Sequence, residues 1–152
     1  MKIMKILSFN SPFGWITIEE KNKQIQSIKF GKNKNLGKSL QLQSLKKQIT
    51  QYFLGKKKKF TIKFELQGSM LQKQIWSELY KIPYGCTKSY GEIARKLKTS
   101  PRYVGNVCGQ NKHLLVIPCH RVVKSNGELG GFSGLGGIKL KKKLLMIEKQ
   151  NA

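Results

Sequence analysis

Aspartate is missing from this 152-residue chain. All seven acidic residues are glutamates, and the 30 basic residues include only three arginines, Arg95, Arg102 and Arg121. That skew has the look of a genome-wide composition bias, which adds lysine everywhere without selecting a partner. Cysteine is scarce too: Cys86, Cys108 and Cys119 form an odd set with no CxxC pair. A disulfide framework is not expected, and a reducing compartment fits better. His113 and His120 are the only histidines and have no HxxxH spacing, so no structural zinc site is expected. No apolar run approaches the roughly 18 residues that span a bilayer. The opening Met1-Lys2-Ile3-Met4-Lys5-Ile6-Leu7 lacks the long apolar region and small-residue cleavage site of a secretory signal. A cytoplasmic protein with no membrane partner and no metal is the expectation.

What is present is charge and a modest core. The formal charge is +23, and hydrophobic residues make up 39% of the chain, enough for one ordinary core or two small ones. Residues 1–67 carry net +12 and residues 68–152 net +11, so no half is singled out as a basic face. Polyanion binding is compatible with the total but is not argued by its distribution.

The first half reads as a small α/β scaffold, residues 1–67. Apolar runs at 2–9, 15–18 and 25–30, separated by turn-like segments, predict a three-strand meander. Leu42, Leu45, Ile49 and Phe53 have helical spacing, with Ser39 placed as N-cap and Gly55 as the exit. Phe60, Ile62, Phe64 and Leu66 alternate strictly, which predicts a half-buried strand. With no His, no Cys and no paired carboxylate, this half carries no chemistry.

The second half, residues 68–152, is punctuated by helix starts. Ser69 with Gln72 and Ser89 with Glu92 have capping-box spacing, and Ser100-Pro101 supplies an N-cap followed by proline at the first helical position. The last two starts predict two short helices joined by a tight turn, the sequence form of a helix-turn-helix. The second helix is unusual inside. Gly105 and Gly109 each cost about 1 kcal/mol relative to alanine. With Asn106 and Cys108 they leave a face of small side chains beside one long cation, Arg102. Such a face suits close packing on a neighbouring helix or close approach to a nucleic-acid groove.

Leu114-Leu115-Val116-Ile117 then reads as an apolar strand running into Pro118, with Cys119 and His120 at the break. A cysteine among apolar neighbours is by default an inert core thiol. Here an adjacent His and Arg stand beside it, and nearby cations favour the reactive thiolate. Pairing Cys119 with His120 needs a kink at Pro118 or a bridging water, because neighbours in a strand face opposite ways.

Ile117-Pro118-Cys119-His120-Arg121-Val122-Val123 resembles the active-site signature of the O6-alkylguanine-DNA alkyltransferases, the methylated-DNA–protein-cysteine methyltransferases. Ile82-Pro83-Tyr84-Gly85 and Ser89-Tyr90-Gly91-Glu92-Ile93-Ala94 resemble the approach to that family's DNA-binding helices. Arg102, Asn111 and the Leu144-Leu145…Glu148 segment fall where the family has its arginine finger, hinge asparagine and glutamate. The resemblance implies a two-domain α/β (α+β) fold: a ribonuclease-H-like N-terminal domain, and a mainly helical, winged helix-turn-helix-like C-terminal domain. It implies a monomer without cofactor whose partner is double-stranded DNA containing O6-alkylguanine, with O4-alkylthymine as a related lesion. The duplex would be bound through its minor groove and the damaged base flipped out.

By the same resemblance Cys119 is the alkyl acceptor, activated through water by His120 and Glu148. Tyr90 protonates the departing guanine, and Asn111 ties the recognition helix to the active-site segment. DNA is met by Arg102, Tyr90, Ser89, Gly105, Asn106 and Arg121, while Ser133, Phe132, Pro118 and Met70 line the alkyl pocket. Competing readings are a non-repairing sensor of alkylated DNA, a Cys–His hydrolase, and a generic basic DNA-binding module. Cys86 and Cys108 default to packing, Trp76 to core, and His113 to a surface or loop position.

Overall fold

The computed structural model describes residues 4–131 and 137–152. The chain divides into two compact units, Met1–Glu65 and Leu66–Ala152.

The first unit is a three-stranded antiparallel meander, β1 (Met4–Ser11), β2 (Gly14–Lys21) and β3 (Gln24–Phe30), in the order β1-β2-β3. Asn22 and Lys23 both take positive φ, 54° and 62°, between β2 and β3. Two left-handed residues make a type I′ turn, whose twist matches that of the flanking strands. Helix α1 (Leu40–Phe53) is capped by Ser39, whose side chain accepts from Leu42 N. Its Leu42, Leu45, Ile49 and Tyr52 are buried, as are Ile16, Ile18, Ile25 and Ile28 of the sheet.

Residues 60–66 do not form the strand that their alternation predicts. The alternation itself is real: Phe60, Ile62 and Phe64 are half-buried, and Thr61, Lys63 and Glu65 between them are exposed. The segment is held by glutamine side chains of α1. Gln48 accepts from Thr61 N at 2.7 Å and donates to Thr61 O at 3.0 Å, and Gln41 accepts from Lys63 N at 3.0 Å. A backbone bond, Ile25 N to Lys63 O at 2.7 Å, reaches the sheet. Side-chain amides satisfy the polar backbone that a neighbouring strand would otherwise take.

The second unit is mainly helical, with α2 (Met70–Tyr80), α3 (Tyr90–Leu97), α4 (Pro101–Gly109) and α5 (Gly137–Asn151). Both capping boxes form, Ser69 with Gln72 and Ser89 with Glu92, and Ser100 caps α4 through Tyr103 N. Between α3 and α4 the chain turns through Lys98 in the left-handed region, φ 57°. Trp76 is core, and its indole donates to Val107 O at 3.1 Å, tying α2 to α4. A two-residue strand β4 (Lys88–Ser89) pairs in parallel with β5 (Val122–Val123).

The apolar run Leu114 to Ile117 is not a strand. Ile117 N donates to His113 O at 2.9 Å, and Leu115 sits at φ 74°, so the run is a tight turn. All four side chains are buried. They enter the core from a loop rather than from a sheet face, and burial on every side looks the same in sequence for either geometry. His113, expected at the surface, is buried at the head of this turn, whereas Cys86 is exposed.

Candidate active site

Pro118 sets the local geometry. Its φ of −81° and ψ of 66° make it the centre of an inverse γ-turn, closed by Cys119 N donating to Ile117 O at 2.8 Å. Cys119 to Arg121 then coil as one turn of 3-10 helix. This replaces the strand geometry that would have pointed Cys119 and His120 to opposite faces. Asn111 braces the turn from both sides: its side chain accepts from His113 N at 2.9 Å and donates to Ile117 O at 2.8 Å.

His120 and Glu148 meet in the interior. Nε2 of His120 lies 2.7 Å from Oε2 of Glu148, and the two side chains are 0% and 1% exposed. Arg121 joins them, with Nε donating to Glu148 Oε1 at 2.7 Å and Nη2 to Oε2 at 2.9 Å, while Nη1 donates to Ile82 O at 2.7 Å. Burial opposes ionisation of Glu148, but hydrogen bonds and charge from His120 and Arg121 outweigh it and hold its carboxyl at about 2. Burial pushes the His120 imidazole below its ordinary range despite its bond to Glu148, with the charges of Arg121 and Lys141 adding to the shift. Near neutral pH the cluster is therefore an ionised Glu148 clamped by Arg121 and a neutral His120. The ring's Nδ1 is buried and has no hydrogen-bond partner among the described residues.

Cys119 is 4% exposed. Burial pushes its thiol up to about 11, against the Asn111 hydrogen bond, the charge of Lys141 and its own backbone N–H, all of which favour the thiolate. At neutral pH the resting group is the thiol, so attack requires a base. Cys119 opens onto a cavity of about 550 Å³ lined also by Tyr90, Pro101, Arg102, Gly105, Cys108, Gly109, Lys124, Gly130 and Gly131. Gly105, Cys108 and Gly109 of the small face of α4 thus form one wall of this cavity. Cys108 belongs to that wall as well as to the core, and burial followed by the charge of Cys119 pushes its thiol up to about 12. Tyr90 reaches the cavity from the first turn of α3, and burial raises its phenol to about 12.

Lys141 escaped the sequence reading. It is completely buried on α5, and its ammonium donates to Val122 O at 2.6 Å, Gly131 O at 3.2 Å and Tyr90 Oη at 3.3 Å. Burial lowers its pKa, against the charges of Cys119 and Cys108. A signal existed: Lys141, Leu144 and Glu148 stand at i, i+3 and i+7, one face of a helix.

The expected site residues divide cleanly. Cys119, Tyr90, Arg102 and Gly105 share the cavity, and His120, Glu148 and Asn111 stand behind it. Arg121, expected to meet DNA, is instead buried with its guanidinium committed to Glu148 and Ile82. Met70 is 75% exposed on the first turn of α2 and is not part of the cavity. Pro118 is buried behind Cys119 and does not line it either. Ser89 is engaged in the α3 capping box, and Asn106 is exposed on α4 outside the cavity lining. Phe132 and Ser133 lie outside the described residues. Among the described residues no cluster of three or more His, Cys or Glu could hold a metal ion, and no helix is long and apolar enough to cross a membrane.

Comparison with known proteins bears on both units. Residues 70–150 match the family model of the 6-O-methylguanine DNA methyltransferase DNA-binding domain, and residues 4–66 that of its ribonuclease-like domain. The chain is 39% identical over 145 residues to a methylated-DNA–protein-cysteine methyltransferase of Sulfolobus acidocaldarius, covering 94% of this chain and 92% of the relative. It is 37% identical over 145 residues to the inducible protein of that name in Bacillus subtilis, covering 90% and 80%. The crystal structure of Mycobacterium tuberculosis O6-methylguanine methyltransferase matches with a TM-score of 0.86 at 30% identity, covering 99% of this chain and 95% of that one. A structure of Mycobacterium tuberculosis OGT in complex with DNA matches with a TM-score of 0.84 at 31% identity, covering 97% and 94%.

Proposed function

The chain belongs to the 6-O-methylguanine DNA methyltransferase family, and on that premise we propose that it repairs DNA by taking the alkyl group of O6-alkylguanine onto Cys119, once per molecule. The observation that carries this reading is the thiol of Cys119 on a cavity it shares with Tyr90, backed by a neutral His120 hydrogen-bonded to an ionised Glu148.

The chemistry runs in one displacement. His120 takes the Cys119 proton through an intervening water at Nδ1, the ring nitrogen without a hydrogen-bond partner among the described residues. Glu148 fixes the tautomer at Nε2 and stabilises the imidazolium that forms. The thiolate attacks the alkyl carbon as the C–O6 bond breaks, and the electron pair leaves on guanine. Tyr90 donates a proton to that departing base. The product thioether does not hydrolyse under mild conditions, so the protein is consumed. Each alkyl group removed costs one protein molecule.

A base inside a duplex cannot reach a buried thiol, so the lesion is turned out of the stack into the cavity. Arg102, exposed at the cavity lining, takes the place of the missing base from the minor-groove side, and the thin face of α4 at Gly105 and Gly109 permits close approach. The repertoire of alkyl groups, including O4-alkylthymine, follows from how this cavity accepts them. No cofactor takes part, because the thiolate is both nucleophile and acceptor.

Intact mass and peptide mapping test the proposal after reaction with excess O6-methylguanine duplex. The expected result is a gain of one CH2 on the Cys119 peptide, saturating at one per protein. No gain with preferential binding to the lesion would make the protein a non-repairing sensor. No gain and no preference would leave only a basic DNA-binding module.

A further inference from the structure

Residues 31–36 leave β3 and return to β1 as a strap pinned at both ends. Gly31 turns the chain at φ 130°; its N–H donates to Trp15 O at 2.7 Å and its carbonyl accepts from Thr17 Oγ1 at 2.7 Å. At the far end Leu36 and Ile6 exchange backbone bonds, both at 2.8 Å. Buried Ser8 ties down the middle. Its Oγ accepts from Asn33 N at 3.1 Å, and its N–H donates to Asn35 Oδ1 at 2.7 Å. Asn33 Oδ1 in turn accepts from Lys34 N at 2.8 Å. Both asparagine oxygens are thus used in holding the strap, and both amide NH2 groups are left without a partner among the described residues.

The strap and β2 enclose a cavity of about 600 Å³ lined by Ser8, Trp15, Lys32, Asn33, Lys34 and Asn35, with no carboxylate among them. The side-chain polar groups left unused there are donors: two ammoniums, two amide NH2 groups and the indole N–H. Such a set selects a ligand that carries several acceptor oxygens and negative charge. Trp15 adds a second kind of contact. It is 37% exposed, and the Lys32 ammonium stands over its ring 4.5 Å from the centroid. A cation over an exposed ring is held weakly, so a flat ligand can take its place while the lysine turns to that ligand's charge. Acceptor oxygens beside a flat aromatic ring are the chemistry of a nucleotide.

We propose that this strap is a second nucleic-acid site, in the first unit, that holds single-stranded DNA: a phosphate on Lys32, Lys34 and the amides of Asn33 and Asn35, and the adjoining unpaired base stacked on Trp15. An aromatic platform beside a cationic track is how single strands are gripped without regard to sequence. A single strand fits better than a duplex, because a paired base has both faces covered by its neighbours. A strand also fits better than a free nucleotide, because residues 1–67 carry net +12 and a polyanion uses that charge repeatedly. The site stands on the first unit alone and does not depend on alkyl transfer to Cys119.

The donors can be watched directly in amide-correlation NMR spectra of the isotope-labelled whole chain, because the Trp15 indole N–H and the Asn33 and Asn35 NH2 groups each give a signal. On titration with a single-stranded thymidine tetranucleotide these signals are expected to move together and saturate. Trp15→Ala is expected to weaken the binding read at the two asparagines by about 10-fold, the ordinary scale of base stacking. Lys32→Gln combined with Lys34→Gln is expected to weaken it as well, with the log–log salt slope smaller by about 0.7 for each phosphate no longer neutralised. All three positions are exposed, so the variants are expected to keep the sheet's signals in place. Shifts confined to the second unit would overturn the proposal, as would native affinity in Trp15→Ala. Equal shifts from inorganic phosphate at the same concentration would overturn it in favour of a small-anion site, and equal movement of the Trp15 signal by a blunt duplex in favour of a duplex site. None of these outcomes touches the proposed function, which is read separately by mass at Cys119.

Discussion

Arg121 and Glu148 form a two-point ion pair inside the protein, Nε to Oε1 at 2.7 Å and Nη2 to Oε2 at 2.9 Å. The same carboxylate receives His120 Nε2 at 2.7 Å, so one buried charge holds Arg121 and His120 together. Arg121 is what makes that charge tolerable in the core. It neutralises the carboxylate without giving it a proton, and leaves His120 neutral. Replacing Arg121 with Met removes the clamp and leaves Glu148 buried and uncompensated. The expected loss in urea unfolding is about 3–5 kcal/mol. A loss below about 1 kcal/mol would mean that Glu148 relaxes or takes up a proton at little cost.

The same cluster sets the pH limits of stability. Glu148 is held at about 2 in the folded protein against an ordinary 4.5. Its contribution, on the order of 3 kcal/mol, is present above 4.5 and lost as pH falls from 4.5 toward 2. His120 acts in the same direction from higher pH: its lowered pKa lets the unfolded chain take a proton first, so stability begins to fall below about 6.5. On the alkaline side Cys119 is raised from 9 to about 11, so the unfolded chain ionises first and stability falls between those values. The melting temperature is expected to be highest between about 6.5 and 9. Glu148→Gln is expected to flatten the decline between 4.5 and 2 specifically, and an unchanged slope there would assign the acid sensitivity to other groups.

How much of this was legible depended on how local each determinant is. Ser69, Ser89 and Ser100 announce their helices because a cap involves only the next three residues. The Pro118-Cys119-His120 break and its distant Glu148 were readable through a motif with strong residue-type constraints. Residues 60–66 and Leu114 to Ile117 were misread because alternation and continuous hydrophobicity report burial, not hydrogen-bond partners. Gln41, Gln48 and Asn111 supply those partners from elsewhere in the chain. Arg121 and Lys141 were hidden for another reason. In a chain with 30 basic residues a buried cation looks like any other, and only the folded positions of Glu148 and Tyr90 separate them from the solvated majority.

Gly105 offers a test in which stability and binding move in opposite directions. A Cβ there would meet Tyr90 Cε1 at 3.8 Å, ordinary van der Waals contact, so alanine fits the free protein. Gly105→Ala should stabilise α4 by up to about 1 kcal/mol through helix propensity and raise the melting temperature. If DNA approaches this face closely, the same methyl group weakens duplex binding. A higher melting temperature with unchanged affinity would show that α4 is not met at Gly105.

Arg102 separates base extrusion from alkyl transfer. It is exposed, lines the cavity and lies one turn of α4 from Gly105. On the proposed reading, its loss removes the side chain that takes the place of the flipped base and leaves the buried groups around Cys119 in place. Arg102→Ala should therefore slow repair of O6-methylguanine in duplex DNA far more than benzyl transfer from free O6-benzylguanine, which needs no extrusion. Equal losses on both substrates would make Arg102 a structural residue. Salt sharpens the distinction. Duplex affinity should fall with a log–log slope of about −0.9 per phosphate neutralised. If Arg102 enters the stack rather than pairing with a phosphate, the variant weakens binding with its slope nearly unchanged. A slope smaller by about one unit would place the guanidinium on the backbone instead.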